Sequence, residues 1–206
     1  MFIHLYLEMV RIRDDQKERL LRRKAVMLFV KEGFDGLSMQ KLARAARVSP
    51  ATIYIYFKNR EDLILQLSAE LSKKMADATL DGFDPEMSFE EGMKIQWMNR
   101  ARYCMKYPEE MHFIEQVRFS PFYEKSLQLT DKRFIEVMSK FGSNAVRRNE
   151  LKELPFEVFW AIAFSPLYTL VKFHMHHVSM PGRKKFVLTD EILLTTLHRV
   201  LQALRP

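Results

Sequence analysis

Glycine and cysteine are scarce in this chain of 206 residues, which has six glycines and one cysteine. A single thiol, Cys104, cannot form an internal disulfide, so the sequence suits a reducing cytoplasm. Because glycine and β-branched runs are few and apolar residues recur at helical spacing, the sequence predicts an all-helical protein. The hydrophobic share of 48% and charged share of 29% are typical of a globular chain rather than a disordered one.

The sequence also lacks the patterns of a secreted, membrane-bound or catalytic protein. No apolar run is expected to reach the length needed to span a membrane, and the apolar start Met1–Val10 has neither the basic region nor the cleavage site of a signal peptide. There is no glycine-rich phosphate loop and no nucleophile elbow. The pairs Glu90-Glu91 and Glu109-Glu110 fall at helix starts, where the helix dipole accounts for them. We therefore predict no catalytic residue, no cofactor and no enzyme.

Three histidines, His174, His176 and His177, invite comparison with a metal site. His174 and His177 are three residues apart and would share a helix face. No acidic residue or cysteine lies nearby at ligand spacing, so we expect exposed or interface histidines and no metal.

The net positive charge of the chain is confined to its first 60 residues. Residues 1–60 hold 13 Lys and Arg against 6 Asp and Glu, and 13 − 6 gives +7; residues 61–206 hold 20 of each and are neutral. A basic module joined to a neutral body suits either a polyanion partner or a solvated surface, and charge alone does not choose between them.

The helical pattern divides the chain into two domains, residues 1–60 and 61–206. The first contains a helix from about Asp14 to Glu32 closed by Gly33, a short helix capped by Ser38, and a third capped by Ser49 with Pro50 in its first turn. Asn59 then caps a helix to about residue 80. Five further helices are predicted at about 88–106, 108–120, 125–149, 155–179 and 189–204, about nine in all.

Residues 38–57 have the spacing of a helix-turn-helix. Leu37 with Leu42, and Val48 with Ile53, stand at the spacing of hydrophobic staples around the caps Ser38 and Ser49. Only two residues separate the second helix from the cap of the third, so the helices must meet at a sharp angle. The second helix of such a unit enters the major groove of DNA.

The candidate DNA contacts cluster around that helix. Small residues and hydroxyls at its start allow close approach and donation to phosphates, and basic residues lie at the turn and at the exit from the groove. The predicted DNA-binding residues are Ser38, Gln40, Arg47, Ser49, Ala51, Thr52, Tyr54, Tyr56, Lys58 and Arg60. Ile53 and Phe57 already supply a core face, so Tyr54 and Tyr56 are expected to project towards solvent or DNA.

Two stretches of the chain, ERLLRRKAVMLFVKEGFDGLSMQKLARAARVS and ATIYIYFKNREDL, carry a family resemblance. The segment from Lys17 to Leu63 resembles the N-terminal domain of TetR-type (tetracycline-repressor-like) regulators. The resemblance implies an all-helical homodimer that binds a partly palindromic duplex DNA operator and releases it when a small molecule fills the C-terminal domain. Two positions depart from the family pattern: Arg47 replaces a usual glycine, and Pro50-Ala51 replaces a usual Lys-Gly. Both affect the choice of operator rather than DNA binding itself.

The C-terminal domain is rich in aromatic residues and methionines, which often surround an apolar cavity. An apolar or aromatic effector is expected there, although each of these residues on its own could equally be core. The predicted ligand-binding residues are Trp97, Ala101, Met105, Phe113, Gln116, Val117, Phe134, Met138, Phe164 and Tyr168. Pro166 lies within a helical pattern and should kink it.

The helices predicted at 155–179 and 189–204 are apolar on more than one face, so we expect them to pair with a second copy of the chain. Two alternatives remain open. A basic helical module could bind RNA or an acidic partner, and the aromatic body could be an enzyme, against which the lack of paired catalytic groups argues.

Overall fold

In the computed structural model, the backbone is described for residues 2–176 and 185–206, and side chains for 15–34, 36–176 and 185–206. This part of the chain contains only helices as regular secondary structure, and the predicted all-helical fold is confirmed. The eleven helices are α1 (Phe2–Gly36), α2 (Met39–Ala46), α3 (Pro50–Tyr56), α4 (Arg60–Thr79), α5 (Phe89–Lys106), α6 (Pro108–Arg118), α7 (Tyr123–Leu127), α8 (Lys132–Arg147), α9 (Phe156–Ala163), α10 (Ser165–His176) and α11 (Asp190–Leu204).

The first helix is longer than its pattern predicted. It begins at Phe2 rather than near Asp14, since no glycine or proline interrupts the intervening residues. The prediction for Gly33 is confirmed, because its backbone leaves the helical conformation with φ 70° and ψ −168°. Only glycine adopts such angles without steric cost, so this residue kinks α1 before its last residues.

Two predicted helices are each divided in two. The segment 125–149 is split because the Asp131 side chain accepts a hydrogen bond from the Arg133 N–H at 2.9 Å and starts α8 afresh. The segment 155–179 breaks at Phe164, two residues before Pro166, as the missing proline N–H predicts. The predicted end of that helix and His177 lie outside the described residues.

The chain forms two compact units. Unit 1 comprises Met1–Leu71 and Glu109–Thr130, and unit 2 comprises Ser72–Pro108 and Asp131–Pro206. In unit 1 the hydrophobic core is formed by side chains of α1, α2, α3, α4 and α6. Leu21, Ala25, Leu28 and Phe29 of α1 contribute to this core, and so do both staple pairs. The Phe29 ring lies 4.5 Å from the Phe113 ring, so α6 supplies part of this core.

Unit 2 is organised around α5, which packs against α8, α10 and α11. At the start of α11 the Thr189 hydroxyl accepts from the Ile192 N–H at 3.3 Å, and Leu188 and Leu193 are both buried. The apolar stripe of α11 is buried throughout; it consists of Leu193, Leu197, Val200, Leu201 and Leu204.

One expectation about apolar length was wrong. Within the described residues the stretch Phe156–His176, which is α9 and α10 together, is long and apolar enough by composition to span a membrane, with a mean hydropathy of 1.3. Only 22% of this apolar segment is buried inside the protein, and a single segment of this kind is weak support for a membrane span. The expectation failed because two charged residues, Glu157 and Lys172, lie near the ends and leave an uncharged run between them.

Candidate nucleic-acid interface

The helix-turn-helix is built from α2 and α3, and its two serine caps have the predicted roles. The Ser38 hydroxyl accepts a hydrogen bond from the Lys41 N–H at 3.1 Å, and the Ser49 hydroxyl accepts from the Thr52 N–H at 3.3 Å. Each cap satisfies a free N–H in the first turn and is worth about 1 kcal/mol. Ser49 and Thr52 also share a hydroxyl–hydroxyl bond of 2.9 Å, so both hydroxyls lie together at the exposed start of α3.

The turn between the helices contains Arg47 in a left-handed conformation, with φ 56° and ψ 44°. The Arg47 N–H donates to the Arg44 carbonyl at 3.2 Å, and the Val48 N–H donates to the Ala43 carbonyl at 3.0 Å. These bonds close the end of α2 in the way that glycine usually does. A side chain in this conformation costs roughly 1 kcal/mol, and the two hydrogen bonds offset that strain.

The recognition helix α3 has a buried and an exposed side. Ile53 and Phe57 are fully buried, which confirms their predicted core role. On the opposite side Tyr54 is 55% exposed and Ile55 is 74% exposed, and Ala51 is exposed at the tip. Sequence reasoning missed Ile55, since an isoleucine in a helix is ordinarily assigned to the core. Its exposure could have been found from its position, two residues from both Ile53 and Phe57 and hence off their face.

Tyr56 differs from Tyr54. Both were expected to project away from the core, but the Tyr56 ring is half-buried and packs against the unit 1 core, 6.3 Å from the Phe57 ring. The Tyr56 carbonyl accepts from the Gln66 side-chain amide at 3.4 Å, which links the end of α3 to α4. The Tyr56 ring is therefore positioned by the unit 1 core, and the Tyr56 backbone is positioned by Gln66 of α4.

The basic residues near α3 fall into two groups. Arg44, Arg47 and Lys58 are exposed, and no carboxylate among the described side chains pairs with them. Lys41, by contrast, pairs with Glu32 at 2.6 Å. Hydrogen bonding from Lys41, together with its charge, lowers the pKa of Glu32. Gln40 is exposed at the start of α2.

Arg60 has a structural role that its predicted place in the interface did not include. Its guanidinium donates to the Phe34 carbonyl, and its Nε is buried without a hydrogen-bond partner. The side chain therefore fixes the end of α1 to the start of α4, and Lys58 is the exposed cation at this joint. The joint is capped by Asn59, whose side chain accepts from the Asp62 N–H at 2.9 Å. In return the Asp62 carboxylate accepts from the Lys58 N–H at 2.8 Å.

The residues predicted to bind a ligand are divided between the two units. Phe113 and Val117 belong to the unit 1 core, and Gln116 lies half-buried on the same helix, α6. In unit 2, Trp97, Ala101 and Phe164 are buried, Phe134, Met138 and Tyr168 are half-buried, and Met105 is exposed. Unit 2 thus retains a smaller set on α5, α8 and α10 and at the break after α9.

Sequence reasoning missed the most unusual member of that smaller set. Arg100, in the middle of α5, is only 1% exposed. Its Nη1 donates to the Tyr168 hydroxyl at 2.9 Å and its Nη2 to the Gln96 side-chain oxygen at 3.1 Å. The guanidinium carbon lies 4.6 Å from the centre of the Phe164 ring, 5.5 Å from that of Trp160 and 5.6 Å from that of Phe134. Nothing in the sequence distinguishes this arginine from one on a solvated helix face.

The histidine predictions can be compared with the structure in part. The His174 Nδ1 accepts a hydrogen bond from the Leu188 N–H at 3.2 Å, which ties α10 to the segment before α11. Among the residues the structure describes, no group of three or more His, Cys, Asp or Glu side chains is placed to hold a metal ion.

Comparison with known proteins locates the resemblance in the same place. Residues 21–67 match the family model of bacterial regulatory proteins of the tetR family. An uncharacterized HTH-type transcriptional regulator of Haemophilus influenzae is 35% identical over 95 residues, which are 46% of this chain and 50% of that protein. The HTH-type transcriptional repressor NicS of Pseudomonas putida is 29% identical over 100 residues, 47% of this chain and 45% of NicS. The chain thus spans about half the length of these two relatives and a smaller share of the length of other relatives.

A solved structure extends the likeness to both units. A TetR family transcription regulator from Marinobacter aquaeolei is similar over 95% of this chain and 98% of its own, with a TM-score of 0.72 and 27% identity. The motif, the helical architecture and these similarities agree. Residues 21–67 therefore carry the helix-turn-helix domain of the tetR family of bacterial regulatory proteins, and the chain as a whole has the fold of a solved TetR family transcription regulator.

Proposed function

We propose that this protein is a ligand-responsive transcriptional repressor that works in the cytoplasm. It binds a palindromic operator in double-stranded DNA as a homodimer, and a small apolar or aromatic inducer releases it. One observation carries the DNA-binding part of the proposal: α3 exposes Ala51, Tyr54 and Ile55 on one side while Ile53 and Phe57 hold its other side in the core.

The exposed surface of α3 suits the major groove. Ile55 can pack on a thymine methyl group, and the Tyr54, Ser49 and Thr52 hydroxyls can donate to phosphates or base edges. Gln40 and the Ser38 cap begin the helix that crosses the DNA backbone. Arg47 and Lys58, exposed at either end of α3, supply phosphate contacts.

The proposed dimer forms through α9, α10 and α11, which lie within the helices predicted from sequence at 155–179 and 189–204. In α9 the apolar side chains Phe156 and Val158 are exposed, with Phe156 at 66%, and Phe173 of α10 is exposed as well. A second copy that covered this surface would remove it from water, and large exposed apolar surfaces commonly mark interfaces. The twofold axis would set two recognition helices roughly 34–36 Å apart, or a multiple of that distance.

Release requires that the inducer favour one arrangement of the dimer over another. The aromatic set of unit 2 is the proposed inducer site, and α4, which begins in unit 1 and ends in unit 2, is the proposed connection. A small tilt of such a helix would change the spacing between the two recognition helices. NicS, which this chain matches over about half the length of NicS, is named as a repressor, and this supports repression rather than activation.

The decisive experiment is selection of bound sequences from a pool of random duplex DNA, followed by competition against RNA and scrambled duplex. Recovery of two inverted half-sites supports the proposal and also yields their spacing. Equal competition by RNA or scrambled duplex would contradict operator recognition.

A matched pair of variants tests the DNA-binding surface. Lys58→Gln removes an exposed cation at the end of α3, and Lys94→Gln removes an exposed cation on α5 in unit 2. Because each phosphate contact contributes about 0.9 to the slope of log K against log salt, Lys58→Gln should lower that slope by about 2 per dimer. The slope for Lys94→Gln should stay at the parental value.

A further inference from the structure

Arg100 is a buried cation for which the described residues of unit 2 provide no anion. Among the side chains that the structure describes, no carboxylate contacts its guanidinium, whose two hydrogen bonds go to the neutral groups of Gln96 and Tyr168. An arginine keeps its proton under all physiological conditions, so the charge cannot be relieved by titration. Removal of an unpaired charge from water is costly, and buried charges are ordinarily paired.

Aromatic rings around Arg100 partly compensate for the missing anion. Phe134, Trp160 and Phe164 present ring faces to the guanidinium from α8, from α9 and from the break between α9 and α10. Ring faces attract cations but do not accept hydrogen bonds as a carboxylate does. The Nε of Arg100 is buried and has no hydrogen-bond partner in the described part of the chain, and each Nη carries a second N–H.

A neighbouring titratable group does not supply the missing charge. Cys104 lies one helical turn along α5 and is buried. Burial raises the pKa of its thiol to about 11, against the opposing influence of Arg100, so at neutral pH it is uncharged. The anion that would complete the site must therefore come from outside the described residues.

We propose that unit 2 binds a small organic monocarboxylate, whose carboxylate accepts two N–H groups from one edge of the Arg100 guanidinium and whose apolar or aromatic body lies among Phe134, Trp160 and Phe164. Arginine pairs with carboxylates in this bidentate way, and such bonds are stronger than those between neutral groups. The cluster contains one cation, which balances one negative charge and favours a carboxylate over a doubly charged phosphate monoester. The inference rests on the proposed function, because it gives the chemical class of the inducer.

The two tryptophans of the chain provide a direct measurement on the unmodified protein. The Trp160 ring lies 5.5 Å from the guanidinium carbon, and Trp97 lies three residues before Arg100 on α5. Tryptophan fluorescence of the full chain would be titrated with decanoate, phenylacetate and cinnamate, with the matching primary amides, and with phenyl phosphate. The best carboxylate should bind about 10- to 100-fold more tightly than its amide, as expected for hydrogen bonds to a charged donor.

Variants on the same helix separate binding from structure. Arg100→Met keeps the length of the side chain and removes the charge, and it should abolish the preference for carboxylate over amide. Arg102→Met, two residues along α5 and exposed, should retain that preference. If Arg100 had only a structural role, Arg100→Met would lower the melting temperature; an unpaired buried charge predicts that the ligand-free variant melts at the same temperature or higher.

Several results would overturn the proposal. They are no binding by any of the three carboxylates, equal binding of acid and amide, tighter binding of phenyl phosphate, or an Arg100→Met variant that keeps its preference or melts markedly lower. Operator binding by the ligand-free parental protein is measured separately. If the protein binds its operator but no carboxylate, this inference is refuted and the proposed repressor function stands. If it binds carboxylates without releasing DNA, the carboxylate site is supported and its role in induction is refuted.

Discussion

The indole Nε1–H of Trp97 donates a hydrogen bond of 2.9 Å to the carbonyl oxygen of Ala163. Ala163 is the last residue of α9, where the apolar stretch breaks ahead of Pro166. Both residues are fully buried. A side chain of α5 thus donates a hydrogen bond to the backbone at this break.

The first prediction concerns this bond. Trp97→Phe removes the donor and leaves a buried carbonyl without it, so the free energy of unfolding should fall by roughly 2–4 kcal/mol from the lost bond and the lost ring volume. Denaturation in urea would measure the change. Trp160→Phe is the control, because Trp160 is only half-buried and its indole has no hydrogen bond among the described residues. A loss for Trp97→Phe no larger than that for the control would contradict a role for the bond.

The second prediction separates strain from charge at the turn of the helix-turn-helix. Arg47 has φ 56°, so Arg47→Gly should raise the free energy of unfolding by roughly 0.5–1 kcal/mol, whereas Arg47→Ala keeps the strain and should not. Both variants lose the exposed cation, so both should weaken DNA binding and reduce its salt dependence equally. Thermal denaturation and a salt titration measure the two effects independently, and equal stability of the two variants would argue against strain.

The third prediction concerns Tyr56. Because its ring packs against the core and its backbone is held by Gln66, Tyr56→Phe should leave the chain folded. Loss of the hydroxyl should weaken operator binding by roughly three- to tenfold if it donates to phosphate. Titration of labelled operator duplex measures the affinity. Parental affinity in Tyr56→Phe would refute the assigned contact, and Tyr54→Phe gives the same comparison for an exposed hydroxyl.

The fourth prediction uses the buried thiol. With its pKa raised to about 11, Cys104 should react with a disulfide reagent near pH 8 only as fast as the protein opens, and promptly in denaturant. The raised pKa also fixes the sign of a stability change. The contribution is intact below the unfolded pKa near 9.0 and is lost as pH rises towards 11.

Over that alkaline range the parental protein should lose roughly 2 kcal/mol more stability than Cys104→Ala. Urea denaturation at several pH values would measure the difference. Prompt labelling of the native protein, or parallel pH profiles for the two proteins, would contradict the burial of this thiol.

Local features of the helix-turn-helix could be predicted from sequence because their causes are local. Ser38 and Ser49 cap helices through bonds to residues three positions ahead, and the staple at Leu37 and Leu42 spans five residues. Likewise Gly33 and Pro166 act through their own backbones, so the kink and the break were evident in the pattern.

What could not be predicted depends on contacts between residues far apart in the chain. Arg100 is one arginine among many, and only the arrival of Tyr168 and three aromatic rings from other helices makes it a buried, unpaired cation. Arg60 was assigned to DNA by its position in the motif, but its bond to the Phe34 carbonyl spans 26 residues. The division of the predicted pocket has the same cause, since helical periodicity does not say which core an apolar face joins.

The 4.5 Å contact between the Phe29 and Phe113 rings limits how this protein can be taken apart. A fragment that stopped after Leu71 would contain the whole helix-turn-helix but would lack Phe113 and Val117, leaving a hydrophobic hole beside α1. Such a fragment should be poorly soluble. A chimera that joins the helix-turn-helix of this chain to the ligand-binding domain of another regulator would need α6 as well. The boundaries for such an exchange of DNA-binding domains must therefore follow the core of unit 1 rather than the order of residues in the sequence.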